Sequence, residues 1–305
     1  MSSKKLSNTL FFVLKTSVSG LLLTYVLRKV GLSNILSHLG DMDLRYFVLS
    51  SLVYLLTIFL ASLRWWTLLK RSQPLGKLFP LCLIGSFFNH FMPGAVGGDA
   101  VKAYYLYKDT GQGGISFGSV FLDRYVGYFA LLTIGLLAGI AGYGELKVIG
   151  LHWLTPVLFI LFLSGSLLFF RLRIGRRFKA ITDFYAFFHD ALRDRKSIGT
   201  ALLLSSAIQV LTILEIYLIS LGLGQHPSFT ALFVFVPLII TAMAIPISIS
   251  GLGLREGAFV VLFGLTGIAP ETSTSISLLW FLSAAAGSLP GLFVYLRKRK
   301  SASSA

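Results

Sequence analysis

Three stretches set charged and hydrogen-bonding residues among apolar neighbours, where such residues are costly unless something answers them. The first is Phe88 to Lys102, FNHFMPGAVGGDAVK, which carries Asn89, Pro93, Gly97, Gly98, Asp99 and Lys102. Pro93 removes a backbone donor, and Gly94, Gly97 and Gly98 are poor helix formers, so no unbroken helix runs through it. The second is the adjacent pair Asp123 and Arg124, and the third is Ser250 to Gly257, SGLGLREG, with Gly251, Gly253, Arg255 and Glu256. Glu215 lies alone in a further apolar run. This set suits the binding of an oxyanion such as phosphate. Planar arginine donors at Arg124 and Arg255 can fork onto phosphate oxygens, and backbone N–H groups freed at the glycine-rich breaks add donors. Asp99 and Glu256 would neutralise those arginines in an empty site or meet an amino group on the ligand. The plainer alternative is that these ion pairs only lock the breaks against the rest of the protein.

Catalysis has weaker footing. The five histidines are scattered, the single cysteine Cys82 lies in an apolar run, and no Ser/His/Asp arrangement or metal-type spacing stands out. GAVGGD has neither nucleotide-loop spacing nor a preceding strand. His90 reads as a structural hydrogen-bonder. Asp99 or Glu256 as a general base would make the chain a membrane glycosyl- or aminoacyl-transferase. A third alternative is an accessory scaffold for a separate transferase. No cofactor or metal is expected.

The chain of 305 residues is 55% hydrophobic and only 13% charged, with mean hydropathy +0.80. A soluble domain carries about 25% charged residues, so this composition describes an integral membrane protein. The net charge of +15 then marks cytoplasmic loops and anionic lipid rather than nucleic acid. Six full spans are expected, near residues 10–27, 44–69, 115–140, 154–170, 198–221 and 273–296. The first has no clear small-residue cleavage site and reads as a retained span. Arg64, Trp65 and Trp66 read as an interfacial belt with a snorkelling arginine. Residues 171–196 form the most basic connection, with an amphipathic pattern at Phe178, Ile181, Tyr185, Phe188 and Leu192. That pattern fits a helix lying on the inner membrane surface or one packed on the bundle.

The positive-inside rule places both termini, Lys70 to Lys77, and residues 171–196 on the cytoplasmic side. The segment 77–114 must then enter and leave on that side, and 229–272 must enter and leave on the other. Both are expected as re-entrant helical hairpins, with tips near Pro93 to Gly98 and Pro246 to Gly253. The fold class is therefore an all-α polytopic membrane protein of about six full spans plus two re-entrant hairpins. It forms one transmembrane domain, whose halves, 10–141 and 154–296, would be an inverted repeat joined through a short outer loop. A plain bundle with kinked helices is the alternative.

At RWWTLLKRSQP, FFNHFMPGAVGGDAVKAYYLYKDTG, SVFLDRYVGYFALL and SISGLGLREGAFVVLF the chain resembles the lysylphosphatidylglycerol synthase transmembrane region family. The resemblance implies a multi-pass inner-membrane protein that handles phospholipids or polyprenyl-linked lipids, as the flippase domain of multiple peptide resistance factors does. It implies functional positions at Asn89, Pro93, Gly97, Gly98, Asp99, Asp123, Arg124, Gly251, Gly253, Arg255 and Glu256. The family commonly has Glu before the arginine, so Asp123 departs slightly from its pattern. The sequence stops at Ala305, and the aminoacyl-transferring domain of the synthases is expected to be absent. The expected partners are membrane lipids, anionic or isoprenoid-linked, with a transferase partner or self-association as further alternatives. Glu215 is a candidate coupling residue. Asp99 should meet Arg255 or Glu256 in one cavity between the two tips.

Overall fold

The computed structural model describes residue 40 and residues 42–91, 97–148, 150–172, 179–245 and 251–303. Among them are eleven helices and no strand: α1 (Leu44–Leu68), α2 (Leu75–Phe91), α3 (Gly97–Thr110), α4 (Gly113–Ala141), α5 (Tyr143–Val148), α6 (Leu154–Leu172), α7 (Lys179–Arg193), α8 (Arg195–Gly222), α9 (Phe229–Ala244), α10 (Leu254–Gly264) and α11 (Pro270–Ser303). Five of these, α1, α4, α6, α8 and α11, are long and apolar enough to cross a membrane. They match five of the six expected spans. The expected span 10–27, the Pro93 region and residues 246–250 lie outside the described residues. α2, α3, α9 and α10 are shorter than the roughly 20 residues a comfortable span needs.

α1 and α8 form the central seam and run antiparallel. The Asp43 N–H donates to the Gly222 carbonyl at 3.1 Å, Ser50 Oγ reaches the Glu215 carbonyl at 3.4 Å, and Arg64 Nη1 reaches Ser205 Oγ at 2.9 Å. The start of one helix thus meets the end of the other. On one flank α2 and α3 pack together, α3 on α4 and α2 on α11; on the other α9 and α10 pack together, α10 on α11 and α9 on α4. Exchanging α1 with α8, α2 with α9, α3 with α10 and α4 with α11 carries each of these neighbours onto another observed neighbour.

Glycine sets the closest approaches. A Cβ at Gly98, in the first turn of α3, would run into the Gly85 carbonyl of α2. The Gly98 N–H also donates to Asn89 Oδ1 at 2.8 Å, which ties the start of α3 back to the end of α2. In the second pair, Gly251 and Gly253 hold φ of 75° and 83°, a left-handed conformation that favours glycine. The Gly253 N–H donates to Glu256 Oε2 at 2.7 Å, satisfying an orphan donor at the start of α10.

α7 packs on the bundle. Phe188 and Ala191 are buried in one cluster with Leu68, Leu122, Val126 and Ala201, while Leu192 is exposed. The buried face therefore includes Phe188 but not the whole expected stripe. Phe170 stacks on Phe188 with ring centroids 4.3 Å apart. Lys70 Nζ pairs with Asp190 Oδ2 at 2.5 Å, so the loop after α1 and the basic connection share one end of the bundle. Asp194 caps α8, and hydrogen bonds from Ser197 hold its carboxyl below the usual carboxylate range. Gly98→Ala should separate α2 from α3 and lower stability by about 1–3 kcal/mol, as overpacking does. Unfolding in mild detergent should show it, whereas Gly165→Ala, where an added methyl meets nothing within 4 Å, should stay near wild type.

Candidate functional site

A cavity of about 250 Å³ opens among α1, α2, α3, α4, α8 and α9. Its lining includes three cations, Arg64, Lys102 and Arg124, and two carboxylates, Asp99 and Asp123, so one positive charge is left over. Asn89, Tyr128 and Gln209 add hydrogen-bonding groups. Burial makes this balance matter, because charges removed from water must be paired and hydrogen-bonded.

Asp123 is the hub. Its Oδ1 accepts from Arg64 Nε at 2.7 Å and its Oδ2 from Lys102 Nζ at 3.4 Å. Arg64 also donates to Ser205, and the Lys102 ammonium sits 4.4 Å from the centroid of the Trp65 ring. Trp65 in turn donates from Nε1 to Ser119 Oγ at 3.1 Å. One acid thereby holds α1, α3 and α4 together. Arg124 differs from the other two cations. It pairs with Asp99, yet its side chain is 47% exposed, against 9% for Arg64 and 6% for Lys102. Its pairing comes through Nε, and the residue lines the cavity.

Arg64 and Trp65 correct the sequence reading. Trp65 is fully buried and Arg64 is 7% exposed, so neither forms an interfacial belt or a snorkelling cation. A basic–aromatic cluster at a span end looks the same in sequence whether it faces headgroups or the interior. Only the partner acid, 59 residues away, separates the two. Ser205 carries no such signal in the sequence, while Gln209, a lone amide on an apolar helix that donates to the Gly127 carbonyl at 3.3 Å, could have been found.

Of the expected site residues, Asn89, Asp99, Lys102, Asp123 and Arg124 line the cavity, with Gly98 immediately behind it. Gly97 opens α3 beside them. Gly251, Gly253, Arg255 and Glu256 do not line it. Arg255 pairs with its neighbour Glu256, donates to Ser277 Oγ at 3.0 Å and stacks 4.7 Å from the Phe281 ring centroid. Asp99 is taken by Arg124. Each break thus carries its own counter-ion, and the expected single cavity between the tips resolves into two clusters. Between them lies His90, whose ring is 5.6 Å from Phe281 and 5.5 Å from Tyr54. Glu215 stands apart, bonded to Trp280 Nε1 at 3.1 Å. Among the described residues no three His, Cys, Asp or Glu side chains group as metal ligands.

The clusters occupy matching positions. Counted from each helix's first residue, Arg64 and Glu215 are both twenty-first, Asp123 and Trp280 both eleventh, and Asp99 and Glu256 both third. The Arg64–Asp123 and Glu215–Trp280 bonds therefore join the same ordinal positions in two different helix pairs.

The family pattern described as the lysylphosphatidylglycerol synthase transmembrane region matches residues 12–291. The chain belongs to this family. Similar members include a UPF0104 membrane protein of Pyrococcus horikoshii, 24% identical over 274 residues that cover 78% of this chain and 82% of that one. Another, from Methanothermobacter thermautotrophicus, is 25% identical over 279 residues, covering 79% of this chain and 80% of its own. No solved structure matches the chain significantly. It is a multi-pass membrane protein of this family, and its five charged cavity residues lie within the matched segment.

Asp123→Asn would leave Arg64 and Lys102 buried without their shared counter-ion. Breaking a buried pair in this way costs about 3–5 kcal/mol, and thermal unfolding in detergent should show a large fall in Tm. Val157→Ala, on a lipid-facing helix, serves as the control and should change little. An unchanged Tm for Asp123→Asn would contradict the hub assignment.

Proposed function

We propose that this protein moves lipids with phosphate-bearing headgroups between membrane leaflets, the headgroup entering the cavity while the apolar tails stay in the bilayer. The observation that carries the reading is the uncompensated positive charge in the cavity, with Arg124 half-exposed to it. An anionic headgroup restores neutrality, and arginine's planar donors suit phosphate oxygens. Asn89, Lys102, Asp123 and Gln209 would complete the headgroup site. Gly97 and Gly98 let α3 start close to it. Pro93 lies outside the described residues and joins this set on sequence alone. Gly251, Gly253, Arg255 and Glu256 would shape the opposite tip rather than touch the headgroup in this state.

The architecture proposed with it is an inverted repeat, halves 10–141 and 154–296, with α2–α3 and α9–α10 as re-entrant hairpins. Three features support it: the exchange of helix neighbours across the seam, the antiparallel run of α1 and α8, and the matching positions of the bonded pairs. The path of the first hairpin agrees. Leu83 and His90 of α2 lie against Gly291 and Phe281 of α11 respectively, so the two helices run antiparallel. Tyr105 of α3 lies under Lys298 near the end of α11. Both arms therefore reach the basic end of the bundle, which the positive-inside rule puts in the cytoplasm together with both termini. Two such repeats packed around a central site can expose it alternately to the two leaflets.

The test is scrambling of fluorescent phosphatidylglycerol and of a polyprenyl phosphate in liposomes reconstituted with the full chain. Wild type should scramble at least one of them. Arg124→Ala should lower the rate at least tenfold, on the order of the 1.4 kcal/mol that a single hydrogen-bonded charge contact readily supplies. Equal rates for wild type, Arg124→Ala and protein-free vesicles would reject the function. Turnover of an aminoacyl- or sugar-lipid without scrambling would point to the transferase instead.

A further inference from the structure

Glu215 is a buried acid that the cavity does not use. It is 1% exposed; Oε2 accepts from Trp280, and Oε1 has no hydrogen-bond partner. The helices packed on α8 are α1, α4, α7, α9 and α11. From α1 come Ser50, bonded to the Glu215 carbonyl and to Ser283, and Tyr54, one turn further along the same helix; Arg64 lies further still. From α11 come Trp280 and Ser283; α4 carries Asp123 and Arg124, which are engaged with Arg64, Lys102 and Asp99, and α9 offers no titratable side chain. α7 meets α8 near the other end, where Asp190 and Arg193 lie.

No cation reaches Glu215. Arg64 pairs with Asp123, Arg124 with Asp99 and Arg255 with Glu256, and no ion pair to Glu215 occurs among the described residues. A buried ionised carboxylate without a cation carries a desolvation penalty of several kcal/mol. Adding one proton removes the charge and makes a donor of the orphaned oxygen. Tyr54 links this place to the cavity: its ring packs edge-on against His90 at 5.5 Å, and His90 Nδ1 lies 2.9 Å from the carbonyl of Ser86, which lines the cavity.

We propose that Glu215 is a proton-binding site coupled to the headgroup cavity through Tyr54 and Ser86. Oε1 takes one proton from a hydronium ion, which leaves as water, and the carboxylate becomes a neutral carboxylic acid. Release returns that proton and restores the negative charge. A headgroup anion in the cavity would make the proton harder to release, since the two negative charges repel across Tyr54. The equivalent place across the seam holds Arg64, so each half sets an ionisable group at the same position with opposite sign. The proton site stands on the Glu215 geometry alone, whereas its coupling to lipid rests on the proposed function.

Infrared difference spectroscopy on the full chain in nanodiscs reads the site directly. At neutral pH it should show the carbonyl stretch of a protonated carboxyl that shifts in D₂O, vanishes in Glu215→Gln and moves in Glu215→Asp. Adding short-chain phosphatidylglycerol should raise its proton affinity about tenfold, a common size for coupling between sites. Tyr54→Phe should keep the band and lose that response. A native protein without a Glu215-dependent band overturns the proton site whether or not it scrambles lipid. A band that ignores the lipid in a protein that scrambles it overturns the coupling. A band in a protein that scrambles nothing supports the proton site and rejects the transport function.

Discussion

Asp123 is the interaction on which the interior depends. In a bundle surrounded by lipid, no solvent screens internal charge, so each cation must find an acid on a neighbouring helix. Asp123 answers Arg64 and Lys102 at once, and so fixes α1, α3 and α4 relative to one another. Arg64 extends the network to α8 through Ser205. Arg124, beside Asp123 in the sequence, is turned to Asp99 and leaves part of its guanidinium facing open space. The pairing rigidifies most of the site and leaves one cation available.

The charged lining of the cavity comes from α1, α3 and α4, while α8 and α9 contribute Gln209, Thr212 and apolar side chains. In the other set of helices Glu215 bonds Trp280, and Arg255 is closed off by Glu256, Ser277 and Phe281. The two flanks thus carry unequal chemistry. One flank is polar and open, while the other is packed around Phe259, Phe263 and Phe235. In the inverted repeat proposed above, the antiparallel α1–α8 seam would be the surface on which the two flanks turn.

Much of this was legible in the sequence, because the bilayer imposes length and polarity rules that soluble folds do not share. α1, α4, α6, α8 and α11 follow from apolar runs, and the breaks around Gly97 and Gly253 follow from glycine and charge. The grouping of Asn89, Asp99, Lys102 and Arg124 was readable as intramembrane polarity. Asp99 and Glu256 were readable as counter-ions of the two arginines, and they pair with Arg124 and Arg255. The partner of Arg64 was not readable, because Arg64 looks interfacial until Asp123 is seen beside it. Pairing depends on how helices rotate about their axes, and apolar periodicity hardly encodes that in spans that are hydrophobic on nearly every face.

The central claim is that the cavity receives a lipid phosphate. A high-resolution structure of the full chain in nanodiscs containing phosphatidylglycerol tests it most directly. Phosphate density within hydrogen-bond distance of Arg124 and bordered by Lys102 and Asn89, with the Arg64–Asp123 pair intact, is the predicted result. Phospholipid headgroups confined to the outer rim of the bundle, with the cavity closed by repacked side chains, would contradict it.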